Sequence, residues 1–142
     1  MKKTAKVLAG VVAAGALVLG TSLPANASGF NAQLSHGAST TYLGVGGAGR
    51  IVTSIEIGHN HVLPTDGNIC GTKIRYRGTL HNQTATSRTS AFNSACYFSG
   101  VSWVFSENYT AFRGGTSIYG EFYHDGAWTP GTDPSVGIIG NN

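Results

Sequence analysis

The sequence predicts an all-β fold, a small antiparallel β-sandwich or barrel of about 7–8 short strands. Glycine supplies 21 of the 142 residues and only 11% of the chain is charged, so the strong helix formers lysine and glutamate are scarce. Several segments alternate apolar and polar side chains, which is the period of a strand with one buried face. Glycine-containing turns separate these segments, as expected for many short strands.

Residues 1–27 have the composition of a cleaved secretory signal peptide of bacterial type. A lysine-rich start precedes an uncharged apolar run at residues 7–19, and small residues at 25–27 form a cleavage site. The apolar run is shorter than the roughly 20 residues that a membrane-spanning helix needs. We therefore expect residues 28–142 to form a single secreted, extracellular β domain without a transmembrane segment.

The formal net charge of +3 resides in this leader, which contains three of the nine basic residues and none of the six acidic ones. The remaining chain is neutral. A neutral chain has no general electrostatic attraction for nucleic acids or anionic membranes, so net charge alone gives no reason to expect either partner. Attraction for an anionic ligand would have to come from a local basic patch.

Cys70 and Cys96 are the two cysteines of the sequence. An oxidising extracellular environment favours a disulfide between them, and two cysteines allow one pairing. Their spacing is unlike that of a zinc knuckle or a redox pair. The sequence therefore predicts one disulfide, which closes a loop of about 27 residues.

Three strands are predicted before residue 81. Residues 41–45 form a short strand ahead of a glycine-rich hairpin loop. Residues 51–58 alternate, with the isoleucines at 51, 55 and 57 on one face, which predicts a half-buried strand. Residues 69–80 place Ile74 and Tyr76 on the inward face. The basic residues on the opposite face are Lys73, Arg75 and Arg77.

Residues 81–95 are small and polar, which predicts a long exposed connection. An edge strand is expected around residues 84–90. Phe92 is the one large apolar residue of this segment, and we expect it to anchor the connection to the core.

Residues 96–105 contain the densest group of large apolar side chains and no charge. This composition predicts a central strand with Trp103 and Phe105 in the core. A turn at residues 106–108 and a short strand at residues 109–113 are expected to follow.

The last part of the chain predicts a hairpin and a final strand. Residues 116–124 alternate Ile118 and Phe122 with polar and aromatic residues on the other face. Asp125-Gly126 is a strong signal for a two-residue hairpin turn. A last short strand is expected at residues 136–139.

Tyr119, Tyr123 and Trp128 are candidate ligand-binding residues. They fall on the outward parity, and amphipathic aromatic side chains suit a surface that binds a ligand and stays wet on one side. Arg75 and Arg77 would add contacts to an anionic ligand. Alternatively, the aromatic residues cover the second sheet, and the arginines form a solvated strand face that discourages edge-to-edge pairing.

His59 and His61 are candidate zinc or copper ligands. They are two residues apart, so on a strand their imidazoles project from the same face. Alternatively, they are polar residues at a strand end with no ligand. A metal site needs at least one further ligand, and the spacing does not choose between His36, His81, His124 and Asp66.

Sequence motifs of hydrolases are missing. The chain has no Gly-x-Ser-x-Gly elbow and no His-Glu-x-x-His helix motif. A small domain without these patterns is more typical of a binding protein than of an enzyme.

The segment at residues 115–124 is similar to the Tyr-Ser-x-Tyr-Tyr-His segment of lactococcin-972-like bacteriocins, with Tyr119, Tyr123 and His124 matching in kind. In that family the segment lies nearer the mature N-terminus, and cysteines are not a usual feature. The resemblance covers about ten residues, and it implies a secreted β-sandwich toxin.

Together these patterns favour a small secreted bacterial protein that acts by binding a cell-surface polymer or another extracellular protein, without catalysis and without a cofactor. Two alternatives remain open. One is a bacteriocin-like toxin or an inhibitor. The other is a metal-dependent secreted enzyme in which His59 and His61 hold zinc or copper.

Overall fold

The computed structural model describes residues 29–35, 39–61, 67–129 and 133–140, which form ten strands and no helix. The strands are β1 (Gly29–Ser35), β2 (Ser39–Ala48), β3 (Ile51–His61), β4 (Ile69–Thr79), β5 (Ala85–Thr89), β6 (Asn93–Tyr97), β7 (Gly100–Ala111), β8 (Ser117–His124), β9 (Ala127–Trp128) and β10 (Ser135–Gly137). The expected signal peptide at residues 1–27 lies outside the described residues. Within the described ranges, no helix is long and apolar enough to cross a membrane.

The strands form two antiparallel sheets, which confirms the all-β prediction. One sheet has the order β1-β2-β3-β7, and the other has the order β10-β8-β4-β5, with β6 also paired to β4 and β9 to β8. One hydrophobic core receives buried side chains from both sheets. Gly120 of β8 lets the two sheets approach closely, since a Cβ atom there would lie 3.1 Å from side-chain carbons of both Ile57 and Leu43.

The predicted disulfide is present and joins β4 to β6. Cys70 and Cys96 are directly opposite each other in this strand pair, with their Cα atoms 4.1 Å apart. The loop that the disulfide closes contains β5, which pairs with β4 at the edge of the second sheet. The edge strand expected around residues 84–90 is therefore confirmed.

Alternation assigned the inward residues of β4 and β8 correctly. Ile74, Tyr76, Ile118 and Phe122 are all buried in the core. The hairpin turn at Asp125-Gly126 is confirmed as well, because both residues have positive φ angles, 49° and 87°, as a type I′ turn requires.

The inward face predicted for the start of β3 was wrong. Ile51 is 37% exposed, whereas Val52 is fully buried. Gly47 pairs with Val52 and Gly46 pairs with Ser54, so Thr53 is an extra residue in β3. Such a β-bulge reverses the alternation at the point of insertion, and this bulge explains why Ile55 and Ile57 face inward while Ile51 does not.

The turn predicted at residues 106–108 was also wrong, because β7 continues to Ala111. Ser106 pairs with Ser54 and Thr110 pairs with Val52, so three residues of β7 lie opposite one residue of β3. Tyr109, within this bulge, has a φ angle of 53°. The polar residues that suggested a turn therefore belong to a bulge in a longer strand.

The densest apolar segment is not one central strand. It is divided between β6 and β7 by a bend at residues 98–99, and β7 is the last strand of its sheet. Phe105 is in the core, and Trp103 is partly buried and packs against the core. Phe92 is 60% exposed, so it is not the expected anchor. Main-chain pairing of β5 and β6 with β4 holds the connection instead.

The bulge in β7 places Glu107 between the two sheets. Glu107 is 8% exposed and accepts hydrogen bonds from the Tyr76 hydroxyl at 3.0 Å, from Arg88 Nη1 at 3.0 Å and from the Thr110 hydroxyl at 3.2 Å. A buried carboxylate is tolerated when several donors satisfy it. This network connects β4 and β5 of one sheet to β7 of the other.

Tyr76 should make the protein less stable in alkali. Burial, the charge of Glu107 and the hydrogen bond to it raise the pKa of Tyr76 from 10.0 to about 12. The contribution of the Tyr76 hydroxyl to the free energy of unfolding is fully present below about pH 10. It is lost as the pH rises towards 12, because Tyr76 loses its hydroxyl proton at a lower pH in the unfolded chain than in the folded one. We expect the free energy of unfolding in urea to fall by about 1 kcal/mol more between pH 9 and pH 11 in the wild type than in Tyr76→Phe. Equal slopes in the two proteins would contradict this assignment.

Candidate functional site: an aromatic face and a histidine cluster

The aromatic face lies on the outer side of the second sheet and contains Lys73, Arg75, Arg77, Tyr119, Glu121, Tyr123 and Trp128. In the pairing of β4 with β8, Lys73 is opposite Tyr123 and Arg77 is opposite Tyr119. The β8–β9 hairpin then places Trp128 opposite Tyr123. Cationic and aromatic side chains therefore become neighbours across the strands, because residues on one face of paired strands lie side by side.

The cations of this face stack on its rings. Lys73 Nζ lies 4.2 Å from the ring centroid of Tyr123, and Arg75 Cζ lies 4.4 Å from that of Trp128. Arg77 Cζ lies 5.8 Å from the ring centroid of Tyr119. These distances are within the range of cation–π attraction, which is about 0.5–1 kcal/mol at exposed sites.

Two carboxylates fix the orientation of the arginines. Glu121 accepts hydrogen bonds from Arg75 and, at 2.7 Å, from Arg77 Nε, while Asp133 accepts one from Arg77 Nη2 at 2.6 Å. The face thus carries three cationic side chains and the carboxylate of Glu121, and Asp133 adds a second carboxylate from the segment before β10. A guanidinium group has five N–H donors, so Arg75 and Arg77 keep donors that these carboxylates do not use.

All five residues suggested as ligand contacts by the sequence lie on this face. Tyr119 is 42% exposed, and Tyr123 and Trp128 are half-buried with their rings in an edge-to-face contact, 5.3 Å between centroids. Sequence reasoning missed Glu121 and Asp133 as partners of the arginines. The contact of Asp133 with Arg77 could not be predicted from the sequence, because the two residues are 56 positions apart and no local pattern joins them.

The histidine cluster consists of His59, His61 and His124, and it joins the two sheets at one end. His59 and His61 project from the same face of β3, and His124 is the last residue of β8. The ring centroids are 5.2 Å apart for His59 and His61, 4.6 Å for His59 and His124, and 5.8 Å for His61 and His124. One ring nitrogen from each residue lies within 4.8 Å of the other two.

Each histidine of the cluster has a hydrogen-bond partner at Nδ1. His59 Nδ1 is 2.8 Å from the Thr41 hydroxyl, and His61 Nδ1 donates to the Gly67 carbonyl at 3.2 Å. His124 Nδ1 donates to the carboxylate of Asp125 at 2.8 Å. These partners orient all three rings and assign the Nδ1 proton of His61 and His124.

His59 is the buried member of the cluster. Its side chain is 1% exposed, and its ring stacks on Phe122 with 5.3 Å between centroids. Burial, followed by the neighbouring His124 and His61, lowers the pKa of His59 from 6.5 to about 4. The ring is therefore neutral at neutral pH. Its Nε2 atom has no hydrogen-bond partner among the residues that the structure describes.

Of the four residues that the sequence offered as a third ligand, His124 is the one that meets the pair. His81 instead forms a hydrogen bond with Arg50, at 2.9 Å. His36 and Asp66 lie outside the described residues.

Comparison with known proteins adds no assignment. No protein-family model, no curated protein and no solved structure matches this chain. Its function is therefore inferred from the two groups of side chains described above.

Proposed function

We propose that this protein is a secreted, non-catalytic binding module that attaches through its aromatic face to an anionic cell-surface glycan. The observation that supports this proposal is the convergence of Tyr119, Tyr123 and Trp128 with two arginines on one side of one sheet. The two sheets around one core support a β-sandwich, with this face turned away from the other sheet.

The chemistry of the face suits a sugar polymer that carries acidic groups. Aromatic rings offer flat apolar surface to the C–H faces of sugars, and their polar edges stay in water. The free N–H donors of Arg75 and Arg77 can bind carboxylate or phosphate groups. Because Glu121 and Asp133 offset two of the three cations, stacking is expected to contribute more to binding than net charge, and salt should weaken binding only in part.

Removing the three rings tests this proposal. Tyr119→Ala/Tyr123→Ala/Trp128→Ala is expected to weaken retention on purified anionic cell-wall polymer by about 100-fold or more, since each stacking ring contributes about 1 kcal/mol. The thermal midpoint should stay within a few degrees of the wild type, because none of the three rings is part of the buried core. Binding is measured by sedimentation with the insoluble polymer at several salt concentrations.

Tyr109→Ala is the matched control. Tyr109 is a tyrosine that is 74% exposed on β7 of the other sheet, so its removal should leave binding unchanged. If the polymer retained the triple variant as strongly as the wild type, the proposal would be contradicted. Capture of an extracellular protein, but not of polymer, would assign the face to a protein partner. Growth inhibition of neighbouring bacteria that is lost in the triple variant would assign it to a bacteriocin-like toxin.

A further inference from the structure

The histidine cluster has the composition of a transition-metal site. Its three side chains come from β3 and β8, which belong to different sheets, and one nitrogen of each lies within 4.8 Å of the others. In a tetrahedral zinc site with Zn–N distances of about 2.0–2.1 Å, neighbouring ligand nitrogens are about 3.4 Å apart. Binding would therefore draw the two half-buried rings, His61 and His124, closer to His59.

The hydrogen bonds at Nδ1 leave the opposite nitrogen as the ligand atom. A carbonyl and a carboxylate accept the Nδ1 protons of His61 and His124, which leaves the Nε2 atom of each ring as the one that can bind a metal ion. Metal-binding histidines commonly donate their second ring N–H to a carbonyl or carboxylate in this way. The Thr41 hydroxyl can serve the same purpose for His59.

His59 provides an independent observation. His59 is only 1% exposed, so water does not reach its Nε2 atom. This atom has no hydrogen-bond partner in the described part of the chain. Buried polar atoms nearly always have a partner, and leaving one unpaired costs about 1–3 kcal/mol. A bound ion would be that partner.

We propose that His59, His61 and His124 bind one divalent transition-metal ion through Nε2, and that this ion links β3 of one sheet to β8 of the other. Imidazole donors suit zinc and copper, whereas magnesium and calcium prefer oxygen ligands. Zinc has no d-electron preference for a planar arrangement, so three imidazoles from two different sheets can hold it in a tetrahedral arrangement. Three protein ligands leave a fourth position, which water or another ligand would fill.

Asp125 is the positioning residue of this site. It accepts the Nδ1 proton of His124 and also occupies the first position of the β8–β9 turn, with a φ angle of 49°. Asparagine is the residue most favoured before glycine in a type I′ turn. Asp125→Asn therefore removes the carboxylate charge and keeps the turn, which separates metal affinity from folding.

Titration of the purified, tag-free protein with Zn²⁺, and separately with Cu²⁺, tests the site by calorimetry and elemental analysis. We expect one ion per chain. His61→Ala and His124→Ala should each weaken binding by about 100-fold or more, and Asp125→Asn by about 10- to 100-fold. His81→Ala should bind as the wild type does, since His81 pairs with Arg50 outside the cluster.

Two results would overturn the proposal. One is that neither ion binds to the wild type at micromolar concentration. The other is that His61→Ala and His124→Ala bind either ion as tightly as the wild type does. Both variants alter half-buried side chains, so retention of the Cys70–Cys96 disulfide and of the circular dichroism spectrum checks that they fold. Glycan retention by Asp125→Asn should be unchanged, so this test is independent of the aromatic face.

Discussion

Replacing Phe122 with alanine is expected to lower the free energy of unfolding by about 3–5 kcal/mol. Phe122 is 1% exposed in the core that both sheets share, and its ring also stacks on His59. The smaller side chain removes apolar contacts and leaves a cavity that paired strands cannot close fully. Urea unfolding at pH 7 measures the change.

Phe98→Ala is the control for this experiment. Phe98 is 71% exposed between β6 and β7, so its removal should change the free energy of unfolding by no more than about 0.5 kcal/mol. A loss below about 1 kcal/mol for Phe122→Ala would show that the two sheets do not depend on this ring. The Phe122 variant should also bind metal more weakly, because the ring that supports His59 is gone.

Removing the disulfide has the second largest expected effect. In Cys70→Ser/Cys96→Ser, we expect the free energy of unfolding to fall by about 3–4 kcal/mol, because the unfolded chain regains the freedom of a loop whose ends are 26 residues apart. This loss is a large part of the roughly 5–15 kcal/mol that stabilises a typical domain. Urea unfolding of the variant and of the wild type under reducing conditions should agree.

The same variant reports on the end of the fold that carries the histidine cluster. The carbonyl oxygen of Cys70 accepts a hydrogen bond from the main-chain N–H of Asp125 at 2.9 Å, so β4 supports the β8–β9 turn beside the disulfide. Amide hydrogen exchange should therefore speed up at Asp125 as well as in β5 and β6. Unchanged stability of the double-serine variant would mean that the pairing of β6 with β4 alone closes the loop.

The outward and inward residues of β4 and β8 could be predicted because they depend on local alternation. A strand turns successive side chains to opposite faces, so the burial of Ile74, Tyr76 and Phe122 can be predicted without knowing where the strand lies in a sheet. The five suggested ligand contacts followed from the same parity. Their mutual contacts did not, because these depend on which strand lies next to β8.

Two errors of sequence reasoning share one cause. Ile51 and the supposed turn at residues 106–108 were misjudged because two β-bulges shift the register of β3 against its neighbours. A bulge is a property of a strand pair, and one strand's sequence does not specify its partner. Phe92 was misjudged because backbone pairing with β4, rather than an anchored ring, holds its segment in place.

Sequence alone determined the class of fold, the disulfide and the parity of the aromatic face, since composition, cysteine number and the two-residue period are local or additive properties. Tertiary structure decided the assembly of the histidine cluster. His59 and His61 share a face of one strand, but His124 follows them by more than sixty residues and reaches them only because the two sheets pack around Phe122. Long-range contacts of this kind arise from packing, which no periodicity within a single strand can encode.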